Sequence, residues 1–302
     1  MSTATIERSR TAHHGATAGA VVGRQLFVLG GSRSAYDHRG DVRTVGLDGT
    51  GVTDGVFASV PTVRGNLVAE AIGSQIVTIG GLVASKEGAA DLNTPCDAVE
   101  VLDTTSGAWR RAAPLPQARV KPGVATCGGM VYALSGRSGD TDARTVYGYD
   151  VELDRWFDVA ELPYGARHGA ACRFGDRVYF AGGGSISPGS KVVRSSMLRF
   201  EPATNQVVAL RDMPGARTGH SMVALGDSIY VLGGMDPEKR PCTSVLRYDV
   251  ARDSWSVAGE LGSPRVVFAC GVVNDVVLLA GGWRRMLKES NETVEEFAPR
   301  SG

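Results

Sequence analysis

One short apolar run recurs six times along the chain, and glycine-rich turns separate its copies. Each copy has four mostly apolar residues followed by two small ones: LFVLGG, IVTIGG, VYALSG, VYFAGG, IYVLGG and VLLAGG. The copies end at Gly31, Gly81, Gly136, Gly183, Gly234 and Gly282, spaced by 50, 55, 47, 51 and 48 residues. Short apolar runs bounded by turn residues predict β-strands. A period near 50 residues is typical of a β-propeller, so the pattern predicts an all-β chain of six blades.

Other positions follow the same period. An aromatic residue lies three positions before the first small residue in four copies: Phe27, Tyr132, Tyr179 and Tyr230. A tryptophan follows a tight turn in three repeats: Trp109, Trp156 and Trp255. Together with the double glycines, these residues resemble the Kelch repeat over essentially the whole chain. The resemblance implies one six-bladed Kelch β-propeller over residues 1–302, with four antiparallel strands per blade and strand a innermost.

The blades are predicted to begin near residues 11, 63, 118, 166, 216 and 264. The last blade ends at Phe297, before a fourth strand can be completed. Residues Ser2 to Ser9 lie just ahead of the first blade, where the missing strand would belong. We therefore expect an N-terminal strand over residues 2–9 to complete the last blade and close the ring, which removes exposed strand edges.

Composition narrows the function classes. Lysine plus arginine equals aspartate plus glutamate at 32 each, so no global field favours nucleic acid or an anionic membrane. The N-terminus has no apolar leader, and no apolar run is long enough to span a bilayer. The five cysteines show no metal-site spacing and suit a reducing compartment. We expect a cytoplasmic monomer without a metal or a cofactor.

The candidate chemistry gathers on one face. In antiparallel blades the loops between strands b and c and the links from strand d to the next strand a open on the same side. A recurring arginine lies in five of those links: Arg64, Arg119, Arg167, Arg217 and Arg265. Guanidinium groups bind carboxylates and phosphates well, so the set is a candidate anion clamp. The alternative is that these arginines only brace neighbouring loops.

All five histidines are predicted on that face as well. His13, His14, His168 and His220 lie in the links, and His38 lies in the b–c loop of the first blade. His220 fits the repeat consensus and is interpreted as structural. The others are candidate acids or bases. Tyr36 beside His38, and Trp283 with Arg284 in the last b–c loop, are candidate substrate-binding walls.

Glu70 departs from the pattern of the innermost strand. Its repeat-equivalent residues are small or apolar: Ala20, Ala125, Cys172, Val223 and Gly271. A carboxylate there costs desolvation unless it is paired or faces water in the channel. Glu70 is therefore a candidate proton carrier, together with His13, His14 and His168.

Three functions fit these residues. The favoured one is a metal-free isomerase, cyclase or lyase that binds a small anionic molecule at one mouth; the sialic acid mutarotases are Kelch enzymes. The alternative is a protein-interaction propeller that binds an acidic peptide, as vertebrate Kelch substrate adaptors do. A copper oxidase similar to galactose oxidase is disfavoured, because the Tyr-His dipeptide expected at such a site does not occur.

Overall fold

The computed structural model describes residues 6–10, 14–34, 37–48, 51–84, 93–187, 190–285 and 288–299. In these residues all the regular structure is β-strand, arranged as six four-stranded antiparallel sheets with short hairpins between them. The innermost strand of each sheet contacts the innermost strand of the next, and the sixth contacts the first. The predicted six-bladed β-propeller is therefore confirmed. No helix in the described part of the chain has the length and apolarity to cross a bilayer.

The strands follow the order a, b, c, d from the channel outward. Blade 1 contains β2 (Ala18–Val22), β3 (Gln25–Leu29), β4 (Val42–Asp48) and β5 (Gly51–Phe57). Blade 2 contains β6 (Val68–Ile72), β7 (Gln75–Ile79), β10 (Val99–Asp103) and β11 (Trp109–Arg111). Blade 3 contains β12 (Gly123–Cys127), β13 (Met130–Leu134), β16 (Thr145–Asp150) and β17 (Arg155–Glu161).

Blades 4 and 5 have the same arrangement. Blade 4 contains β18 (Ala170–Phe174), β19 (Arg177–Ala181), β22 (Met197–Glu201) and β23 (Gln206–Leu210). Blade 5 contains β24 (Ser221–Leu225), β25 (Ser228–Leu232), β26 (Ser244–Asp249) and β27 (Ser254–Glu260). Blade 6 takes three strands from the C-terminal end of the chain and one from the N-terminal end: β28 (Ala269–Val273), β29 (Val276–Ala280), β32 (Thr293–Phe297) and β1 (Ile6–Arg10).

The ring closes by strand pairing between the two ends of the chain. Strand β1 lies antiparallel to β32, with Ile6 opposite Glu296 and Arg10 opposite Thr293. Closure by an N-terminal strand is thus confirmed. Of the strand predicted over residues 2–9, positions 2–5 lie outside the described residues, and the observed strand extends to Arg10.

Four b–c loops form hairpins of their own. These hairpins are β8 (Leu82–Ala84) with β9 (Asn93–Pro95), β14 (Arg137–Ser138) with β15 (Thr141–Asp142), β20 (Gly184–Ser187) with β21 (Ser190–Val193), and β30 (Trp283–Arg285) with β31 (Glu289–Ser290). They lie on the same side of the ring as the d–a links. We call this side the mouth face.

The core lies between the blades. One cluster joins Tyr132 of blade 3 to Phe180 and Phe200 of blade 4, and similar clusters occur at the other junctions. The double glycines permit the close approach of neighbouring blades. At Gly80, with φ of 59°, an added Cβ would lie 2.3 Å from the Arg119 carbonyl oxygen of the next blade. A larger residue there would push the blades apart.

Candidate functional site

Two of the predicted clamp arginines are fully buried inside their own blades. Arg64 donates to the Gly80 carbonyl at 2.7 Å, to Thr78 Oγ1 at 2.9 Å and to Glu100 Oε2 at 2.6 Å. Arg265 makes an equivalent set, including a 3.1 Å ion pair with Glu295. Each guanidinium is therefore engaged by the carbonyls and the carboxylate of its own blade, and neither faces the channel.

Two further clamp arginines are also buried. Arg217 donates to the carbonyls of Gly233 and Ser244 at 3.1 and 2.7 Å. Arg119 lies over the ring of Tyr147, and its Nη1 donates to Gln117 at 2.5 Å. Its Nε and Nη2 have no hydrogen-bond partner. For these arginines the structure favours the bracing role over an anion clamp open to solvent.

Arg167 does not belong to the series that its spacing suggested. The N–H of the second small residue in five blades donates to a carbonyl of the following link, and these bonds identify the equivalent link residues as Arg119, Ala166, Arg217, Arg265 and His14. The repeat position in blade 4 is therefore Ala166, one residue earlier. Arg167 instead occupies the position of Gly65 and Thr218, whose backbones pair with the b–c loops. Because of this shift, its side chain is partly exposed on the mouth face.

The residue directly after Arg167, and its equivalent in each of the other links, lies at the rim of the channel. Its six occupants all have positive φ: Ala16, Asn66, Lys121, His168, Gly219 and Val267. Backbone bonds run from one occupant to the next around part of the rim, with His168 donating to Lys121, Gly219 to His168 and Val267 to Gly219. This conformation is costly for most side chains, and these backbone hydrogen bonds help to hold it in place at His168, Gly219 and Val267.

Lys121 is a rim residue that the sequence interpretation missed. Its side chain is buried at the channel mouth, where Nζ donates one 3.4 Å hydrogen bond to the Thr17 carbonyl in blade 1. Burial lowers the pKa of the Lys121 ammonium to about 7. An ammonium group has three N–H donors, and the described residues supply one acceptor, the Thr17 carbonyl.

His168 lies beside Lys121 on the rim. Burial, together with the nearby charges of Lys121, Arg167 and Arg137, lowers its pKa to about 3. The imidazole is therefore neutral at pH 7, and its Nδ1 has no hydrogen-bond partner. Arg137, in the b–c loop of blade 3, is a second group that the sequence interpretation missed, and its Nε also has no partner.

Glu70 occupies the middle of the channel wall. The structure places it at the third position of the innermost strand, where the other blades have small or apolar residues. Its Oε1 accepts a 3.0 Å hydrogen bond from the Thr126 N–H of the next blade. Burial raises the pKa of Glu70 to about 7, against the opposing effect of that bond. The carboxyl group thus both bridges two blades and lines the channel.

The histidines do not gather as one set. His14 is buried and contacts Asp41 at 3.2 Å, and its pKa is lowered because burial outweighs the effect of that carboxylate. His38 Nδ1 is hydrogen bonded to Ser32 Oγ at 2.9 Å. The His220 ring packs against Gly182 of the neighbouring blade, which agrees with its structural interpretation. His13 lies outside the described residues.

The predicted aromatic walls differ from expectation. Trp283 is 1% exposed and packs with Ala16, Val266 and Val267 beneath the rim, so it cannot present its ring to a ligand on the surface. Its neighbour Arg284 is partly buried. Tyr36 lies outside the described residues.

A groove crosses the mouth face between blades 4 and 6 and encloses ≈ 320 Å³. Its floor is apolar and includes Val193, Met235, Val266 and Val267. Its charged lining residues are Arg167, Asp236 and Lys239. The Asp236 carboxylate accepts from Arg240 Nε at 2.7 Å. The charge still available to a ligand is therefore positive.

The described residues form no evident metal-binding site. No group of three or more His, Cys, Asp or Glu side chains in that part of the chain is arranged to hold an ion. All five cysteines are free thiols. Burial raises the pKa of Cys270 to about 12, so this thiol stays protonated.

Comparisons with known proteins agree with this architecture. The family model described as the Kelch motif matches residues 64–116 and 216–262, which cover most of blades 2 and 5. Similar proteins are alpha-scruin of Limulus polyphemus, 27% identical over 51% of this chain, and Kelch-like protein 25 of Xenopus tropicalis, 30% identical over 52%. Kelch-like protein 36 of Rattus norvegicus is 30% identical over 64% of this chain.

Fold and repeat together define a β-propeller built from Kelch units. The Kelch motif recurs in this chain, which is similar to proteins named Kelch-like. The matched segments span 17%, 26% and 30% of the lengths of the three relatives. Those proteins are therefore much longer than the part that resembles this propeller.

Proposed function

We propose that this propeller is a protein-interaction module in the cytoplasm. Its mouth face would bind an extended segment of a partner protein that carries an apolar side chain and a carboxylate. The observation that carries the proposal is the groove between blades 4 and 6, which combines an apolar floor with the cationic side chains of Arg167 and Lys239. Apolar surface next to cationic side chains suits an acidic, partly apolar peptide.

The hydrogen bonds of the buried arginines support a protein-interaction function as well. The buried arginines Arg64, Arg217 and Arg265 are occupied within their blades, so little of the predicted clamp remains for a small substrate. Two of the similar proteins are named as Kelch-like proteins, and the Kelch resemblance implies protein-binding adaptors among the possible functions. The five free thiols suit a reducing compartment.

A selection from a random peptide library tests the proposal. The purified chain should enrich peptides that combine acidic and apolar residues. Met235→Asp places a carboxylate on the groove floor and should weaken their binding by about tenfold or more, which corresponds to about 1.4 kcal/mol. Arg24→Glu changes an exposed charge in the a–b turn on the opposite face and should leave binding unchanged. Equal losses in both variants, or no enrichment, would refute the proposal.

A second candidate function rests on the channel. Glu70 and Lys121 line one cavity of ≈ 150 Å³, and both have pKa values near 7. Groups that titrate near neutrality suit acid/base chemistry on a small anionic molecule. Loss of turnover in Glu70→Gln, with folding retained, would favour this function.

A further inference from the structure

Six residues, one from each blade, form a belt where two cavities of the channel meet. They line both the ≈ 150 Å³ cavity at the mouth and a ≈ 430 Å³ cavity that extends toward the a–b turns. The belt consists of Gly19, Glu70, Val124, Ala171, Met222 and Cys270. The Cys270 thiol stays protonated, so the Glu70 carboxyl is the group in this belt that can carry charge near neutral pH.

Lys121 brings the opposite charge to the same mouth cavity. Its side chain is nine-tenths buried, and its Nζ makes one 3.4 Å hydrogen bond, to the Thr17 carbonyl. Glu70 Oε1 accepts from the Thr126 N–H, which leaves most of the accepting capacity of the carboxylate unused. In the described part of the chain, neither group forms a salt bridge with the other or with a third residue. Buried charges are ordinarily paired, so both lack the partner expected for them.

The depth of the cavity explains why these two charges do not meet. Thr17 and Leu67 occupy equivalent positions in blades 1 and 2, because each directly follows its rim residue, Ala16 or Asn66. Glu70 lies three residues beyond Leu67, deeper in the channel. A strand rises about 3.3 Å per residue, so the carboxylate lies about 10 Å below the lysine ammonium along the channel axis. A direct ion pair cannot bridge that separation.

We infer that the mouth cavity binds one small zwitterion, an amino acid about as long as β-alanine, with its carboxylate on Lys121 and its ammonium group on Glu70. Hydrogen bonds of about 2.8 Å at each end leave about 4 Å for the ligand, which suits the separation of nitrogen and carboxylate oxygen in β-alanine. The volume sets the same limit. A cavity of about 150 Å³ accommodates benzene, and β-alanine has as many non-hydrogen atoms as benzene.

The zwitterion site and the peptide groove are independent, since the site does not use the groove side chains Arg167, Met235 or Lys239. The site rests on the same cavity as the second candidate function, and for that function it specifies an anion that also carries an ammonium group. Equilibrium binding tests the site without any requirement for turnover. Failure of the peptide selection, or absence of turnover, would therefore leave the binding result unaffected.

Isothermal titration calorimetry with the purified chain compares three probes. β-Alanine carries both charges, propionate lacks the ammonium group, and ethylammonium lacks the carboxylate. β-Alanine should bind saturably at one site per chain with a Kd of about 1 mM or tighter, and each singly charged probe should bind about tenfold more weakly or not at all. If β-alanine does not bind saturably, or if propionate binds as tightly, the inference is wrong.

Two variants locate the site. Glu70→Gln removes the charge and keeps an oxygen that can accept from Thr126. Lys121→Asn introduces the residue that blade 2 carries at the same rim position, where Asn66 also has positive φ. Each change should weaken binding of β-alanine by about tenfold or more. If one variant fails to fold by circular dichroism, the comparison of probes on the unaltered chain and the other variant still decide.

Matched controls change the same residue types on the surface. Lys288→Asn and Glu289→Gln alter exposed side chains in the b–c loop of blade 6 and should leave binding unchanged. Unchanged affinity for β-alanine in both channel variants, or equal losses in the channel and control variants, would overturn the assignment of this site.

Discussion

Replacing Arg64 with methionine should cost far more stability than the same change at Arg167. Arg64 is 0% exposed and forms a 2.6 Å ion pair with Glu100, which is 1% exposed. Without the guanidinium, the Glu100 carboxylate keeps its 2.6 Å bond from Thr62 but loses its balancing charge. Breaking a buried pair by removing one partner costs about 3–5 kcal/mol, a large fraction of the 5–15 kcal/mol that stabilises a typical native protein.

Equilibrium unfolding in urea, followed by tryptophan fluorescence and by circular dichroism, measures this cost. Arg167→Met is the matched control, because that side chain is partly exposed and lies outside the bracing network. Its free energy of unfolding should change by about 0.5 kcal/mol or less. Adding Glu100→Gln to Arg64→Met should recover part of the loss, since an amide is cheaper to bury than an unpaired carboxylate.

The outcome decides what the repeated arginines do. If Arg64→Met loses no more stability than Arg167→Met, the buried arginine does not brace the blade, and the structural interpretation of the whole series is wrong. If the loss is large and specific to Arg64, the arginine series belongs to the fold. Arg167, which lies outside that series, then remains available for binding.

Three further predictions concern pH, closure and metal content. Because the pKa of Glu70 is raised to about 7 from its ordinary 4.5, the folded state holds a proton that the unfolded state has released between these pH values. The free energy of unfolding should therefore fall as pH rises from about 4.5 to 7, by at most about 3 kcal/mol. Glu70→Gln should remove this pH dependence, as measured by urea unfolding across the same range. Deleting residues 1–10 should expose the edge of β32 and lower the melting temperature in calorimetry, whereas an unchanged melting temperature would contradict closure by β1. Elemental analysis should find no stoichiometric transition metal, because His14 and His38 are bonded to Asp41 and Ser32; bound copper or zinc would overturn this expectation.

The fold could be predicted because its determinants are local and repeated six times. Two small residues follow each second strand, and at Gly80 a Cβ would collide with the next blade. Closure was also predictable, because the other five blades have four strands each and blade 6 lacked its fourth. Glu70 stood out for the same reason, as a charged residue at a repeated apolar position.

The site was less predictable, because a shift of one residue in the alignment of the repeats changes which side chain occupies a given position. The spacing of the arginines varies from 48 to 55 residues, which cannot distinguish Ala166 from Arg167 as the repeat position. The bond from the Gly136 N–H to the Ala166 carbonyl makes that distinction. Lys121 was missed because the rim position is defined by backbone conformation. Residues as different as Ala16 and Val267 occupy it, so no side-chain pattern marks it.

The departures from the repeat, more than the repeat itself, indicate which side of the channel carries the chemistry. Six equivalent blades would make a symmetric channel, and a symmetric set of buried arginines stabilises every blade alike. The shift at Ala166 removes one arginine from that set and exposes its neighbour Arg167, while blade 3 contributes Lys121 and blade 2 contributes Glu70. These exceptions lie in blades 2, 3 and 4, on one side of the channel. Acid/base chemistry in the channel should therefore be concentrated on that side, whereas peptide binding uses the groove that crosses blades 4, 5 and 6.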